Sequence, residues 1–343
     1  MGSVSLEFWP GPLIAIETSC DETSFAVLDG RQILSNVVAS QTEMHIKWGG
    51  VVPEAAARAH IENLIPVYEE AMEAAGRPPL TAVCVTNRPG LVGALSVGVS
   101  AAKAMAHRLG CPLLGVHHLE GHMMSPLGDP DLKIAFPHIS LIASGGHTEL
   151  VLVRAPGEFQ IIGETRDDAA GEAFDKGARL LGLGYPGGRA IQEAAKAGDS
   201  GRYRLPRALK DDPAAFSFSG LKTAMLRLVQ TEGDRLNVAD AAASLQQAVV
   251  DVLADKAIAA CEATGIGALS LVGGVSANES LRERLQRECA RRGFRLFLAP
   301  PPLCTDNAAM IGLAGSLRLR RGERSNWDLE CLPNAGFAQT PLQ

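Results

Sequence analysis

The chain reads as an α/β protein in which one domain pattern is used twice, giving two lobes with a central cleft. Three observations lead there. Apolar runs of strand length alternate with long Ala-rich segments of helical length. A pair of strands closed by a polar turn opens each half. The 343 residues, 46% hydrophobic, 20% charged and 5% aromatic with 36 glycines, match a globular enzyme and exceed what one core usually organises.

Leu13 to Glu17 is a short apolar strand. The polar turn Thr18-Ser19-Cys20-Asp21-Glu22-Thr23 follows, and Phe25 to Leu28 returns as its partner. Thr81 to Thr86 is the next strand. The turn Asn87-Arg88-Pro89-Gly90 leads into a helix over about Val92 to Leu109, and Leu113 to Val116 is a further strand. The pattern then recurs. Ile139 to Ala143 and Glu149 to Val153 flank the turn Ser144-Gly145-Gly146-His147-Thr148. A helix over about Val238 to Ala263, the strand Leu269 to Val272, a helix over about Glu279 to Arg292 and the strand Arg295 to Leu298 complete the second half. A last apolar helix spans about 307–319. The expected division is an N-terminal lobe over 1–117 and a C-terminal lobe over 118–343. A helical insertion is expected over about 165–233, and the last helix is expected to pack at the lobe junction.

The formal charge of −6 gives no general attraction to nucleic acid, so an RNA partner must use local basic patches or an accessory protein. Arg202, Arg204, Arg207 and Lys210 form one such run, and Arg318, Arg320, Arg321 and Arg324 another; each also fits a solvated charged surface. Seven scattered cysteines with no C-x-x-C pair fit reduced thiols better than a disulfide framework. No apolar stretch reaches the ~18 residues of a membrane span. The start lacks a signal-peptide pattern, and after Met1-Gly2 the Ser or Thr of a myristoylation motif is replaced by Leu6. The expected location is the cytoplasm.

Chemistry gathers at five places. His118 and His122, four residues apart, fall on one helix face roughly 6 Å apart at Cβ, within reach of one metal ion. The run is not H-E-x-x-H: Leu119 follows the first histidine, and Glu120 lies roughly 200° around the helix. On spacing alone the pair fits a metal site and a packed structural pair equally. Ser144 to Thr148 and Gly273-Gly274 are glycine turns at strand ends whose N–H groups suit phosphate, although neither matches a Rossmann or P-loop pattern. Asp21-Glu22 offers a carboxylate for metal, proton or substrate, or a plain turn. Asp306, in Cys304-Thr305-Asp306-Asn307, suits a third metal ligand or a helix cap. Asp175, in Gly171-Glu172-Ala173-Phe174-Asp175-Lys176 before Tyr185-Pro186-Gly187-Gly188, suits ribose hydroxyls or a surface helix.

Taken together, these strings resemble the TsaD family of tRNA threonylcarbamoyladenosine synthases, once catalogued as O-sialoglycoprotein endopeptidases. The resemblance runs from about Leu13 to Leu319. It is carried by Ile16 to Thr23, Gly49 to Glu54, Pro89 to Leu95, the His118/His122 run, Ser144 to Thr148, Gly171 to Lys176, Ser217 to Thr223, Gly273 to Asn278 and Cys304 to Met310. It implies the duplicated actin-like, sugar-kinase and heat-shock-ATPase (ASKHA) fold. It implies transfer of a threonylcarbamoyl group from threonylcarbamoyl-AMP to N6 of the adenosine beside the anticodon, in tRNAs reading codons that begin with A. Matched by position, His118, His122 and Asp306 would hold one divalent metal, iron or zinc. Ile142, Ala143, Ser144, Gly145, Gly146, Asp175, Gly188 and Asn278 would line the adenylate pocket, which an ATP- or AMP-like nucleotide would also fit. Asp21 and Glu22 would stand near the reacting centre. Bacterial relatives pair with a smaller paralogue, TsaB, and an ATPase, TsaE; a homodimer stays open, and no membrane is involved. A metal-dependent glycoprotein endopeptidase and an ASKHA-type ATPase or kinase are the alternatives. Arg88 stands where the family usually has glycine, and Arg189 and Gln192 where proline and a short polar or acidic residue are usual. The tail after Leu319 matches poorly.

Overall fold

The computed structural model describes residues 6–48 and 50–337. Gly49 of the Gly49–Glu54 string and the Met1-Gly2 start lie outside them. The chain divides into two compact units. Unit 1 holds the residues up to Phe136, Ala155–Phe159 and those from Ala299 onward; unit 2 holds Pro137–Arg154 and Gln160–Leu298.

In unit 1, β1 (Pro12–Glu17), β2 (Glu22–Asp29) and β3 (Gln32–Ser40) form an antiparallel meander. The short α1 (Thr42–Ile46) and the long α2 (Pro53–Ala74) lead to β4 (Ala82–Arg88), which lies parallel to β1. Then α3 (Val92–Leu109) crosses to β5 (Leu113–His117), parallel to β4. The sheet order is β3-β2-β1-β4-β5. Gly110 at φ 63 ends α3, returning its N–H to the carbonyls of Ala106 and His107. α4 (His118–Met124) follows β5 without a break.

Unit 2 repeats this plan. β6 (His138–Ala143), β7 (Thr148–Ala155) and β8 (Glu158–Thr165) run as a meander, and the two-residue β9 (Ala215–Phe216) pairs with β8. Three helices, α5 (Ala170–Leu180), α6 (Gly187–Ala195) and α7 (Ser219–Glu232), fall within the insertion expected over 165–233. The 27-residue α8 (Val238–Thr264) precedes β10 (Ala268–Val272), α9 (Glu279–Arg292) and β11 (Arg295–Leu298). β10 is parallel to both β6 and β11, and the order is β11-β10-β6-β7-β8-β9. Apart from β9, the two sheets share one topology, so the duplication expected from the hairpin pattern is present. α10 (Ala308–Arg320) returns to unit 1 and packs on β1, β2 and α4.

Strand alternation places the core. Ile14 and Ile16 of β1, with Val83 and Val85 of β4, point into the cluster that also takes Val67 and Ala71 of α2 and Val99 and Ala102 of α3. The intervening residues of β1, ending in Glu17, take the opposite face, where α10 lies. The helix comes close because it carries Gly315 there: a Cβ at that position would stand 3.0 Å from Cys84 Cβ.

The expected lobe boundary after His117 falls inside unit 1, because β5 passes straight into α4 and α4 packs on α10. β3, β8 and α2 have no counterpart in the sequence pattern. β3 is an edge strand with a mixed exposure pattern, and α2 carries Pro66 in its interior and mixes the small or polar Ala56, His60 and Ala71 with Val67 and Met72 on its buried face.

Glu149 of β7 is the charged misfit of unit 2. Its Oε2 is buried without a hydrogen-bond partner among the described residues. Burial, with the charge of Glu164 adding, pushes its carboxyl up from 4.5 to about 7. A carboxyl raised by folding binds its proton more tightly in the native state, so its effect on stability is lost as pH rises from about 4.5 through about 7. The unfolding free energy should fall over that window, and Glu149→Gln should flatten the fall; identical urea midpoint–pH curves for the two proteins would refute this.

Candidate metal centre

β1 ends in Glu17, whose side chain is buried in the face turned from the α2/α3 core. A carboxylate there must find partners. Its Oε1 accepts the Ser19 N–H at 2.5 Å, and its Oε2 accepts the Thr86 hydroxyl at 2.6 Å and meets His118 Nδ1 at 3.0 Å. Ser19 Oγ lies 3.2 Å from the same nitrogen. An Nδ1–H donated to Glu17 leaves Nε2 of His118 as the free ring atom. That atom faces Asp306 Oδ1 at 3.5 Å, and His122 Nε2 meets the same oxygen at 3.1 Å.

His118, His122 and Asp306 each offer one ligand atom, and these lie within 4.8 Å of one another. Ligands about 2.1 Å from a common ion stand roughly 3–4 Å apart, and the Asp306 oxygen lies at 3.5 Å and 3.1 Å from the two ring nitrogens. The two rings are 4.7 Å apart and nearly perpendicular, at 86°. His122 is fully buried; the Asp306 side chain is 24% exposed, which leaves the site open on that side. The donor set therefore fits a metal ion: two imidazoles, one carboxylate, and a carboxylate behind one ring to orient it.

Electrostatics favours a positive charge between these carboxylates. Burial opposes charge on the His118 ring, but Asp306 and Glu17 on either side outweigh it and hold the ring well above its ordinary value. Burial would raise Asp306, yet His118 draws it well below the usual carboxylate range. Glu17 is lowered, against burial, chiefly by His118. His122 goes the other way: burial lowers it, and the bond to Asp306 only partly offsets this.

Three supports fix α4. His117 Nδ1 accepts the Leu119 N–H at 3.1 Å, while its Nε2–H reaches the Ala335 carbonyl at 3.1 Å and its ring stacks on Phe337 at 4.3 Å. Glu120, on the far side of α4 from the pair, is buried against Arg318 at 3.2 Å, and Arg318 meets Glu323 at 2.7 Å. Gly121 lets α4 lie on α10, since a Cβ there would stand 2.7 Å from Ile311 Cδ1. The N-cap of α10 is Asn307, which accepts the Met310 N–H at 3.0 Å, so Asp306 is not spent on capping.

The Asp21-Glu22 turn belongs to this neighbourhood. His60 of α2 grips it, with Nε2 3.0 Å from the Cys20 carbonyl and Nδ1 2.8 Å from the Thr23 hydroxyl. Burial pushes the Glu22 carboxyl well up, and the charges of Asp306 and Asp21 add to it.

The remaining expected residues lie in unit 2. Ile142 and Ala143 end β6, and Ser144 closes the turn through its N–H to the His147 carbonyl at 2.9 Å and its Oγ to the His147 N–H at 3.1 Å. Gly145 and Gly146 are exposed, with open space where a Cβ would be. Gly171, at the start of α5, packs on Ser144 and Gly145, and Gly273, at φ 89, packs on Ala143. The C-terminal ends of the parallel strands β6 and β10, the α5 N-terminus and the 273–278 turn thus converge. Asp175 accepts the Gly187 N–H at 2.7 Å, and Gly188 stands in open space. Asn278 caps α9 through the Leu281 N–H at 3.0 Å and donates to Gln246 Oε1 at 2.9 Å.

A profile of the TsaD family, described as tRNA N6-adenosine threonylcarbamoyltransferase, matches residues 32–313. The chain belongs to this family. Curated relatives bearing the same name include one from Synechococcus sp. (strain JA-3-3Ab), 53% identical over 332 residues, covering 92% of this chain and 90% of that protein. Another, from Symbiobacterium thermophilum, is 49% identical over 333 residues, covering 95% and 97%. Among solved structures, full-length HypF in its phosphate- and nucleotide-bound form superposes with a TM-score of 0.61 at 16% identity. It covers 95% of this chain, which spans about half (48%) of the HypF chain. The activator of 2-hydroxyisocaproyl-CoA dehydratase from Clostridium difficile gives a TM-score of 0.51 at 11% identity, covering 92% and 98%. These likenesses establish the ASKHA fold.

Sequence pattern does not single out Glu17, His60 or Gln246 as site residues. Glu17 carries a readable signal, an acid closing a strand of buried character; His60 and Gln246 carry none. Gln192, a departure from the family string, accepts the Glu279 N–H at 2.9 Å and so ties α6 to the start of α9. Glu17→Gln keeps the shape and removes the charge behind His118. It should weaken Zn(II) or Co(II) binding roughly 10–100-fold, measured by competition with a chromogenic chelator; unchanged affinity would remove Glu17 from the site.

Proposed function

We propose that this chain transfers the threonylcarbamoyl group from threonylcarbamoyl-AMP to N6 of the adenosine beside the tRNA anticodon with one divalent ion, iron or zinc, held by His118, His122 and Asp306. Family membership gives the reaction. The convergence of the three ligand atoms in front of a buried, partnered Glu17 supports the metal. Bound there, the ion would supply Lewis-acid polarisation of the carbamoyl oxygen or a hold on the phosphate.

The protein's own groups have distinct tasks. Ile142, Ala143, Ser144, Gly145, Gly146, Asp175, Gly188 and Asn278 are assigned to the adenylate. The open turn at Gly145-Gly146 exposes backbone N–H groups for phosphate, and Gly188 leaves room beside Asp175. Asp21 is assigned the proton released by the attacking amine. Glu22, its carboxyl pushed well up, is suited to carry a proton beside it. AMP is a good leaving group, so the transfer needs no covalent enzyme intermediate and no nucleophilic side chain is assigned. tRNA is the macromolecular substrate. A smaller TsaB-like paralogue and a TsaE-like ATPase are the partners we assign from the resemblance, with a second copy of this chain as the other arrangement.

Glu120 argues against the endopeptidase. It is 4% exposed, turned from the pair and held by Arg318, so it cannot activate a water at the ion as the glutamate of H-E-x-x-H does. No helix of the described residues is long and apolar enough to cross a membrane. Seven free cysteines fit the cytoplasm as the place of action.

Incubation with tRNA and threonylcarbamoyl-AMP, followed by nucleoside analysis, tests the reading. His118→Ala should abolish modified adenosine. Asp21→Asn should lower kcat about 10²–10⁴-fold, the usual worth of a proton-transfer group. Glu22→Gln should cost less, because an amide mimics the neutral carboxyl. Wild-type turnover in Asp21→Asn would clear that residue of the role.

A further inference from the structure

An acidic chain that modifies tRNA needs a local surface for the phosphate backbone. The sequence offers two basic runs, and the structure separates them. The C-terminal run is already neutralised. Arg318 is shared between Glu120 and Glu323, Arg320 pairs with Glu7 at 2.7 Å, and Arg321 pairs with Glu323 at 2.7 Å. Arg324 lies over the Trp9 ring at 4.8 Å and donates to the Leu319 carbonyl at 2.8 Å.

The run in unit 2 is built differently. Between α6 and β9 the chain is irregular, yet its inward-facing residues are tied down in turn. The Tyr203 N–H donates to Ser244 Oγ at 3.3 Å, and its hydroxyl accepts the Asn237 N–H at 3.2 Å. Leu205 is 7% exposed and joins the core. Arg207 reaches Asp251 Oδ2 through Nε at 3.1 Å and a terminal nitrogen at 2.7 Å. Lys256 of α8, itself buried, donates to the carbonyls of Leu209 at 2.7 Å and Asp212 at 2.6 Å. Between these anchors Arg202, Arg204 and Lys210 are exposed, and no acidic side chain pairs with them among the described residues. Of the nearby acids, Asp199 accepts the Gly201 N–H at 2.8 Å, Asp240 accepts the Asp199 N–H at 2.8 Å, Asp212 pairs with Arg166 at 2.6 Å, Asp251 with Arg207 at 2.7 Å and Asp255 with Arg284 at 3.1 Å, which leaves Asp211. The loop therefore holds three unpaired cations outward on an anchored backbone, so little order is lost on binding.

We propose that the Arg202–Lys210 loop docks the phosphate backbone of the tRNA substrate, with Arg202, Arg204 and Lys210 as the contacting cations. The inference rests on the tRNA-modifying reading above and adds where the RNA is held. Arg207 and Lys256 are positioning residues, since their donors are spent inside the protein.

Fluorescence anisotropy with a labelled tRNA that reads codons beginning with A tests it, on the full chain alone and with its partner proteins, across a salt series. The triple variant Arg202→Gln, Arg204→Gln, Lys210→Gln should bind tRNA roughly tenfold or more weakly at low salt. Its slope of log K against log salt should shrink by about 2–3, since each lost phosphate contact contributes about 0.7–0.9. The lysine variant Arg202→Lys, Arg204→Lys should keep the slope, and Arg320→Gln, from the paired cluster, should leave binding unchanged. An unaltered melting midpoint checks that the triple variant is folded. If wild-type binds tRNA and the triple variant binds it with the same affinity and slope, the proposal is overturned, including the case in which an acidic protein uses the loop instead. If wild-type binds and modifies no tRNA, the reading of function falls, and the proposal with it.

Discussion

Glu17 stands at the end of a strand buried along its length, and the neighbourhood in unit 1 is organised around that carboxylate. The alternation that sends Ile14 and Ile16 into the helix-side core sends Glu17 to the opposite face, where an unpartnered charge would cost several kcal/mol. Three groups meet it: the Ser19 amide from the turn after β1, the Thr86 hydroxyl from β4, and the His118 ring from α4. Their convergence ties together the turn, the neighbouring parallel strand and the helix. It also sets the ring of His118, so that Nε2 rather than Nδ1 looks toward Asp306.

From that anchor the rest of the site follows by packing. α4 has seven residues, too few to be stable alone. It is held by the cap from His117, by the Glu120–Arg318 pair on its far side and by close contact with α10 at Gly121. α10 delivers Asp306 at its start, and Asn307 takes over the cap that Asp306 would otherwise supply. The tail after α10 completes the support, since Ala335 and Phe337 hold the capping His117 in place. The segment after Arg320 thus secures the first turn of α4.

Much of this is legible in order but not in space. The i, i+4 spacing of His118 and His122 places both rings on one face. Leu119, standing where a zinc protease needs glutamate, sets that motif aside by residue identity alone. Whether Asp306 is ligand or cap cannot be read from the chain, because both roles suit an acid before a helix; only the neighbouring Asn307, seen making the cap, separates them. His60 is invisible for a related reason: a histidine in a helix gives no sign that its two nitrogens will close on a turn forty residues earlier in the chain. The basic runs look alike in sequence and differ in space, since ion pairing depends on which acids the fold brings within 4 Å.

By itself, the sequence determined the α/β duplication, the strand and helix order of most of each half, and the histidine pair, because periodicity and local turn chemistry act between near neighbours in the chain. Tertiary structure alone decided that the unit boundary lies beyond α4, that Glu17 stands behind His118, and that Asp306 faces both imidazoles. Those outcomes depend on burial of particular atoms against residues 69 to 188 positions away (Glu17–Thr86 and His118–Asp306), and no local pattern carries that information.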